Sequence, residues 1–181
     1  MIKVIAIDLV GVLVTENDID LTKEEDKLER MLGSNISDIE YINKAKSIIN
    51  SEKEIIRTII NIFDKLYLVK DKDLLKNIKN KYPGIKIIIA TNHVSFIRRY
   101  LENIYSKEEL DDIIISAEIN RIKPNKSFYN YILDKYNIIP SELLFIDDSI
   151  INIDGASILG INTIKVEKDT NILEEIDKYF K

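Results

Sequence analysis

The 181-residue chain contains no cysteine. Disulfides, thiolate catalysis and cysteine-ligated metals are excluded with it. It has a single histidine, His93, which rules out a zinc site built from several imidazoles. Basic charge is in short supply: 26 Lys and Arg stand against 31 Asp and Glu, giving a net charge of −5 and a pI of about 5.1. Binding a phosphate backbone needs a basic stripe, so nucleic acid is excluded as the main partner. No apolar run approaches the length of a membrane span, and no membrane partner is expected. The apolar stretch at the N-terminus is short, carries Asp8 in its middle and lacks a small-residue cleavage site. It reads as a strand rather than a signal peptide, and the expected location is the cytoplasm. Internal repeats, low-complexity tracts and flexible linkers are also missing.

What is present is a core. Hydrophobic residues make up 45% of the chain, enough for one compact domain or a core domain with a modest insertion. Roughly one residue in five is isoleucine, which inflates apolar matches to any periodic template. Turn and cap signals must therefore arbitrate between helix and strand.

Lys3 to Leu9 reads as a first buried strand: short, continuous and rich in β-branched residues. Thr22-Lys-Glu-Glu25 and Ser51-Glu-Lys-Glu54 are capping-box patterns, each opening a helix. Gly33 with Ser34-Asn35 punctuates the first, and Ser37 caps another in between. Residues from Glu16 to about Lys70 thus read as an all-helical, highly charged insertion. From Asp71 the rhythm alternates. Helices are expected over Asp71 to Lys81, Ser95 to Ile104, Asn125 to Tyr136, Ile151 to Leu159 and Asn171 to Tyr179. Strands are expected over Ile85 to Ala90, Asp112 to Ser116, Leu143 to Ile146 and Asn162 to Val166. This alternation implies an α/β fold, a Rossmann-like doubly wound parallel sheet, with a small helical cap inserted after the first strand. The core domain would comprise residues 1–15 and 71–181, and the cap domain residues 16–70.

Polar residues follow four of these strands. Asp8 ends the first, Thr91-Asn92-His93 the second, and Lys123 lies in the loop Asn120-Arg121-Ile122-Lys123-Pro124 after the third. Asp147-Asp148-Ser149 ends the fourth. In a doubly wound sheet all four converge at one edge, above the switch point. Taken singly, each has a plainer reading. Asp8 could cap a loop, Asp147-Asp148 a helix, Thr91-Asn92 a turn, and Lys123 could be solvated. His93 reads as structural, since nothing in the sequence orients it.

In this order, Asp8-Leu-Val-Gly-Val-Leu, Thr91-Asn92, Lys123-Pro124 with Phe128, and Asp147-Asp148-Ser with Asn152 and Gly155-Ala156 resemble the four motifs of the haloacid dehalogenase superfamily. The resemblance covers nearly the whole chain. It implies a nucleophilic Asp8 that takes a phosphoryl group as an aspartyl-phosphate, splitting hydrolysis into two easier steps. It also implies Mg²⁺ held by Asp8, the Val10 carbonyl and Asp148, with Asp147 in support directly or through water. Thr91 and Asn92 would bind phosphoryl oxygens, and Lys123 would supply a point charge for the carboxylates and the transition state.

One departure matters. Superfamily phosphatases usually carry a second Asp two residues after the nucleophile, which protonates the leaving group; here that residue is Val10. Losing a general acid typically costs about 10²–10⁴-fold. The style of the motifs is similar to α-D-glucose-1-phosphate phosphatases, some of which have Gly at that position, and to the N-terminal phosphatase domain of epoxide hydrolases. The expectation is a Mg²⁺-dependent phosphatase of a small phosphorylated substrate such as a sugar phosphate. Two alternatives stand beside it. One is an L-2-haloacid dehalogenase-type hydrolase, for whose halide only Arg30 and Arg57 are available near the cap. The other is a catalytically silent phosphate-binding homologue.

Overall fold

The computed structural model describes residues 1–32 and 37–180; the Gly33 and Ser34-Asn35 punctuation lies outside the described residues. The chain begins with β1 (Val4–Ile7), β2 (Val14–Glu16), α1 (Lys23–Glu29), α2 (Asp38–Ala45), α3 (Glu52–Leu66) and β3 (Tyr67–Val69). Then follow α4 (Leu74–Lys81), β4 (Lys86–Thr91), α5 (Ile97–Ile104), β5 (Asp112–Ile115), α6 (Ser116–Ile119) and α7 (Lys126–Tyr136). A 3₁₀ turn at Pro140–Glu142 leads into β6 (Leu143–Asp147), α8 (Ile150–Ser157), β7 (Asn162–Lys165) and α9 (Ile172–Asp177).

Five strands form a parallel sheet in the order β5-β4-β1-β6-β7. The chain winds outward from β1 to β4 and β5, then crosses back to β6 and β7. The switch of direction falls at β1, and ligand crevices open there above the carboxyl ends of the strands. Both faces are covered, so β1, β4, β5 and β6 are apolar along most of their length, whereas the edge strand β7 keeps Asn162, Thr163 and Lys165. The pleat nevertheless sorts them. Ile5, Ile7, Ile87, Ile89, Leu144 and Ile146 join one core with residues of α1 to α5 and α9. Val4, Ala6, Ile88, Ala90, Leu143 and Phe145 join a second core with α7 and α8. All five strands lie where the sequence placed them, within one or two residues at each end.

The stretch from Glu16 to Lys70 is not all helical. Val14–Glu16 and Tyr67–Val69 pair antiparallel, with Thr15 opposite Leu68, and the ribbon closes the base of the segment carrying α1, α2 and α3. Backbone bonds extend the pairing at both ends, from Asn17 N–H to Leu66 O (2.7 Å) and from Lys70 N–H to Leu13 O (3.0 Å). Three-residue strands are too short to leave a period in the sequence. Within the segment the caps form as the residue types require. Thr22 and Glu25 make both arms of the capping box, at 3.2 and 3.0 Å. Ser51 accepts from the Glu54 N–H at 3.4 Å, and Ser37 from the Glu40 N–H at 3.3 Å.

Two helices start later than expected, each because a side chain captures the preceding backbone. Asp71 Oδ1 accepts from the Asp73 N–H (2.9 Å), so α4 begins at Leu74. The Ser95 N–H donates to Asp38 Oδ1 (2.9 Å), so α5 begins at Ile97. Among the described residues no helix is long and apolar enough to cross a membrane.

Phe145, fully buried on β6, packs edge-on against Tyr129 of α7, with ring centroids 5.3 Å apart. Phe145→Ala is expected to destabilise the protein by about 3–5 kcal/mol in urea denaturation, because the rigid sheet leaves a cavity rather than collapsing. Phe145→Leu should cost less than half of that.

Candidate active site

Asp8 is the first residue beyond β1, and its N–H donates to Ile146 O (2.9 Å), which carries the pairing with β6 one rung further. Asp147 is the last residue of β6. Two carboxylates thus leave neighbouring parallel strands at the same level. Lys123 lies between them, its ammonium 2.8 Å from Asp8 Oδ1 and 2.7 Å from Asp147 Oδ2. Its side chain is buried, with the ammonium 5.4 Å from the centre of the Phe145 ring.

The Lys123 loop is held from two sides. Asn92 grips its backbone reciprocally: Nδ2–H donates to Lys123 O (2.9 Å), and Lys123 N–H donates to Asn92 Oδ1 (2.8 Å). Opposite, Gly155 of α8 sits so close that a Cβ there would lie 2.7 Å from Pro124 O. The Lys123–Pro124 peptide bond is cis.

Asp147 has no exposed surface, and every lone-pair direction finds a donor. Ser149 N–H donates to Oδ1 (2.8 Å), and Asn152 Nδ2 lies 3.1 Å from each oxygen. Asp148 is exposed and leans over Gly11, where a Cβ would meet its Oδ2 at 2.2 Å. Gly11 also has φ +86°, and that backbone conformation requires glycine. One carboxylate oxygen from each of Asp8, Asp147 and Asp148 lies within 4.8 Å of the others. Three hard oxygen donors at that spacing fit a small divalent cation.

Thr91 is buried as the last residue of β4, beside Ile115 of β5. Val10 is half-buried, forms a bridge with Val14 and packs against the larger core. Asn92 is where the sequence put it, with a task the sequence did not reveal. Its oxygen and one N–H hold Lys123, leaving one N–H without a partner among the described residues.

His93 is buried, and both ring nitrogens are engaged: Nε2 lies 3.0 Å from Tyr67 Oη and Nδ1 3.4 Å from Val94 O. The ring therefore sits neutral with its proton on Nδ1 and accepts from Tyr67. Burial pulls its pKa down to about 4. Its backbone is tied to Ser116, which accepts from His93 N–H (3.0 Å) and donates to His93 O (3.3 Å). Ser116 and Tyr67 carried no signal in the sequence, because their roles exist only between distant segments, whereas Ser149 stood within the Asp147-Asp148-Ser149 motif. Asn152 stood within a quoted motif without a role of its own.

The electrostatics follow from burial. Removal from water pushes Asp8 up to about 6, against the attraction of Lys123 and reinforced by the negative charge of Asp147. A carboxyl raised in the folded state contributes stability that is complete below its unfolded value of 3.8 and lost as pH rises through about 6. The whole gap is worth about 3 kcal/mol. Without metal, Asp8→Asn is therefore expected to be more stable than the wild type at pH 8 and indistinguishable from it at pH 4. Chemical denaturation in EDTA at the two pH values checks this; equal stability at pH 8 would show that the buried charge is compensated.

The profile of the haloacid dehalogenase-like hydrolases matches residues 4–166. Mouse bifunctional epoxide hydrolase 2 is 34% identical over 71 residues, covering 39% of this chain and 13% of that protein. (S)-2-haloacid dehalogenase 1 of Pseudomonas sp. (strain CBS-3) is 28% identical over 81 residues, 45% of this chain and 36% of that enzyme. The chain thus matches only a minor part of the length of these relatives. Among solved structures, a family enzyme from Bacteroides thetaiotaomicron in complex with magnesium and inorganic phosphate superposes with a TM-score of 0.73 at 19% identity, over 97% of this chain and 99% of that one. L-2-haloacid dehalogenase from Xanthobacter autotrophicus, with chloropropionic acid covalently bound, gives 0.64 at 14% identity, over 94% and 80%. At such identities these two likenesses concern the fold. With the profile spanning nearly the whole chain, from β1 through β7, the protein belongs to the haloacid dehalogenase-like hydrolases.

Proposed function

We propose that this hydrolase is a Mg²⁺-dependent phosphatase acting on a small phosphate ester, sugar phosphates among them, through an aspartyl-phosphate on Asp8. The observation that carries this reading is the convergence of Asp8, Asp147 and Asp148 around one point, with Lys123 bridging two of them. A metal-free attack on carbon has no need of three carboxylates.

Asp8 and Asp148 would hold the ion, with the Val10 carbonyl, and Asp147, which accepts from Lys123, Ser149 and Asn152, would support it directly or through water once one of those donors gives way. Bound there, Mg²⁺ supplies the positive charge that lets an anionic nucleophile approach an anionic phosphoryl group. Asp8 attacks phosphorus, the bond to the leaving oxygen breaks, and water then cleaves the acyl phosphate to restore the carboxylate. Lys123 holds the Asp8 carboxylate in line and faces the charge that develops on the phosphoryl oxygens. The Thr91 hydroxyl and the remaining N–H of Asn92 donate to the same oxygens. Residues 16–70 form the cap that excludes water and selects the substrate. It is anchored to the phosphate-binding loop through Tyr67 on His93 and Asp38 on Ser95. We place the protein in the cytoplasm.

The dehalogenase alternative draws on the likeness to two dehalogenases, but neither of the two arginines weighed for a halide is free at the crevice among the described residues. Arg30 is exposed and paired with Asp26 at 3.0 Å, and Arg57 lines an outer groove of α3 with Arg99.

Hydrolysis of p-nitrophenyl phosphate is the direct test. Mg²⁺-dependent release is expected, abolished by EDTA and by Asp8→Asn, and reduced at least about 100-fold by Lys123→Ala. Turnover of L-2-chloropropionate in EDTA, with no phosphate release, would replace the phosphatase reading with dehalogenation. Phosphate binding without turnover of either would mean a silent homologue.

A further inference from the structure

Of the titratable groups near Asp8, Lys123, Asp147, Tyr129 and His93 are committed elsewhere. Lys123 is ion-paired with Asp8 and Asp147 together. Asp147 is fully buried and acts only as an acceptor. Tyr129, which senses both carboxylates, donates its hydroxyl proton to Asn152 O at 2.7 Å, and burial with those negative charges drives its pKa upward. His93 accepts through one ring nitrogen and donates through the other. Val10, two residues past the nucleophile, presents an apolar side chain packed on the core. Thr91 and Asn92 can donate hydrogen bonds but are too weakly acidic to give up a proton, and Asp148 would be held by the ion, so none of these residues is placed to protonate a departing oxygen.

Resting on the phosphatase reading, we infer that this site takes phosphoryl groups from donors whose leaving group departs as a stable anion, and discriminates against primary alkyl phosphates. Acyl phosphates, phosphoanhydrides, anomeric sugar phosphates and aryl phosphates meet that requirement to different degrees. In the first step the Asp8 oxygen bonds to phosphorus while the leaving oxygen keeps the electron pair of the broken bond. It leaves unprotonated and collects its proton from bulk water. In the second step water adds to phosphorus, Asp8 regains its electron pair, and the surplus proton passes to solvent. The sum is ester plus water giving alcohol plus inorganic phosphate. A site that protonates the leaving group flattens the dependence of rate on leaving-group acidity. This one leaves the dependence steep.

The experiment is kcat/KM with Mg²⁺ across substituted phenyl phosphates, acetyl phosphate, an anomeric sugar phosphate and a primary sugar phosphate. For the wild type, kcat/KM should fall by about 10²–10⁴-fold from the most to the least acidic leaving group. Val10→Asp should raise turnover of the primary phosphate about 100-fold and flatten the series, while Val10→Asn, equal in shape without the proton, should keep it steep. A shallow wild-type series overturns the inference while leaving the phosphatase intact, and this holds whether or not Val10→Asp folds. No turnover of any member overturns the phosphatase reading, and the inference falls with it.

Discussion

Two carboxylates at adjacent strand ends set the terms for this molecule. β1 and β6 are hydrogen-bonded neighbours in register, with Ile7 opposite Ile146, so Asp8 and Asp147 emerge side by side about 4.8 Å apart across the ladder. Buried like charges at that separation repel strongly unless a cation lies between them. Lys123 is that cation, and it comes from neither strand. Its loop must be carried across the sheet edge and held still, and several otherwise unrelated features serve this need. Asn92 closes a two-bond ring with its backbone, Gly155 admits Pro124 against α8, and Phe145 fills the floor beneath the ammonium. Removing any one of them loosens the position of a charge rather than merely a contact.

The sheet order turns this local problem into a site. Because β1 is central and the chain reverses direction across it, the loops after β1, β4 and β6 open into the same crevice. The loop after β5 reaches it from the side. The two cores differ in what they carry. The face covered by α7 and α8 is compact and supports Lys123 and Asp147. The other extends continuously from the sheet through β2 into α1, α2 and α3. The helical segment is therefore joined to the main body by shared apolar packing as well as by its ribbon. Tyr67 and Asp38 attach it to His93 and Ser95, immediately after Thr91 and Asn92.

How much of this was legible in the sequence depended on distance along the chain. Four of the sheet strands could be read because strands buried on both faces leave apolar runs ended by polar residues, and the edge strand β7 by its place after the Gly160 helix stop. The four site segments could be read because each follows such a run. The ribbon could not, since Val14–Glu16 and Tyr67–Val69 make a strand only by pairing across more than fifty residues. The same holds for the grip of Asn92 on Lys123, which joins residues 31 apart in the chain and looks like ordinary turn chemistry from either end. His93 was legible as structural, but not why. Its orienting partner, Tyr67, arrives from the ribbon that the sequence concealed.

The inertness of His93 bears on the chemistry as much as its position does. In the proposed phosphatase, an imidazole next to Thr91 and Asn92 is the obvious candidate to replace a missing acid. Here it is walled in by Phe63, with ring centroids 5.1 Å apart, and its nitrogens are occupied by Tyr67 and Val94. Burial holds it neutral down to about pH 4, so across the physiological range it has no second proton to give. Its one proton faces Val94 O, and its other nitrogen is taken by Tyr67, the contact that seats the ribbon on the core. The fold thus ties the chain's one histidine to the anchoring of the helical segment. In the proposed reaction, control over the leaving group is left to the substrate, whose own acidity must do what Val10 cannot.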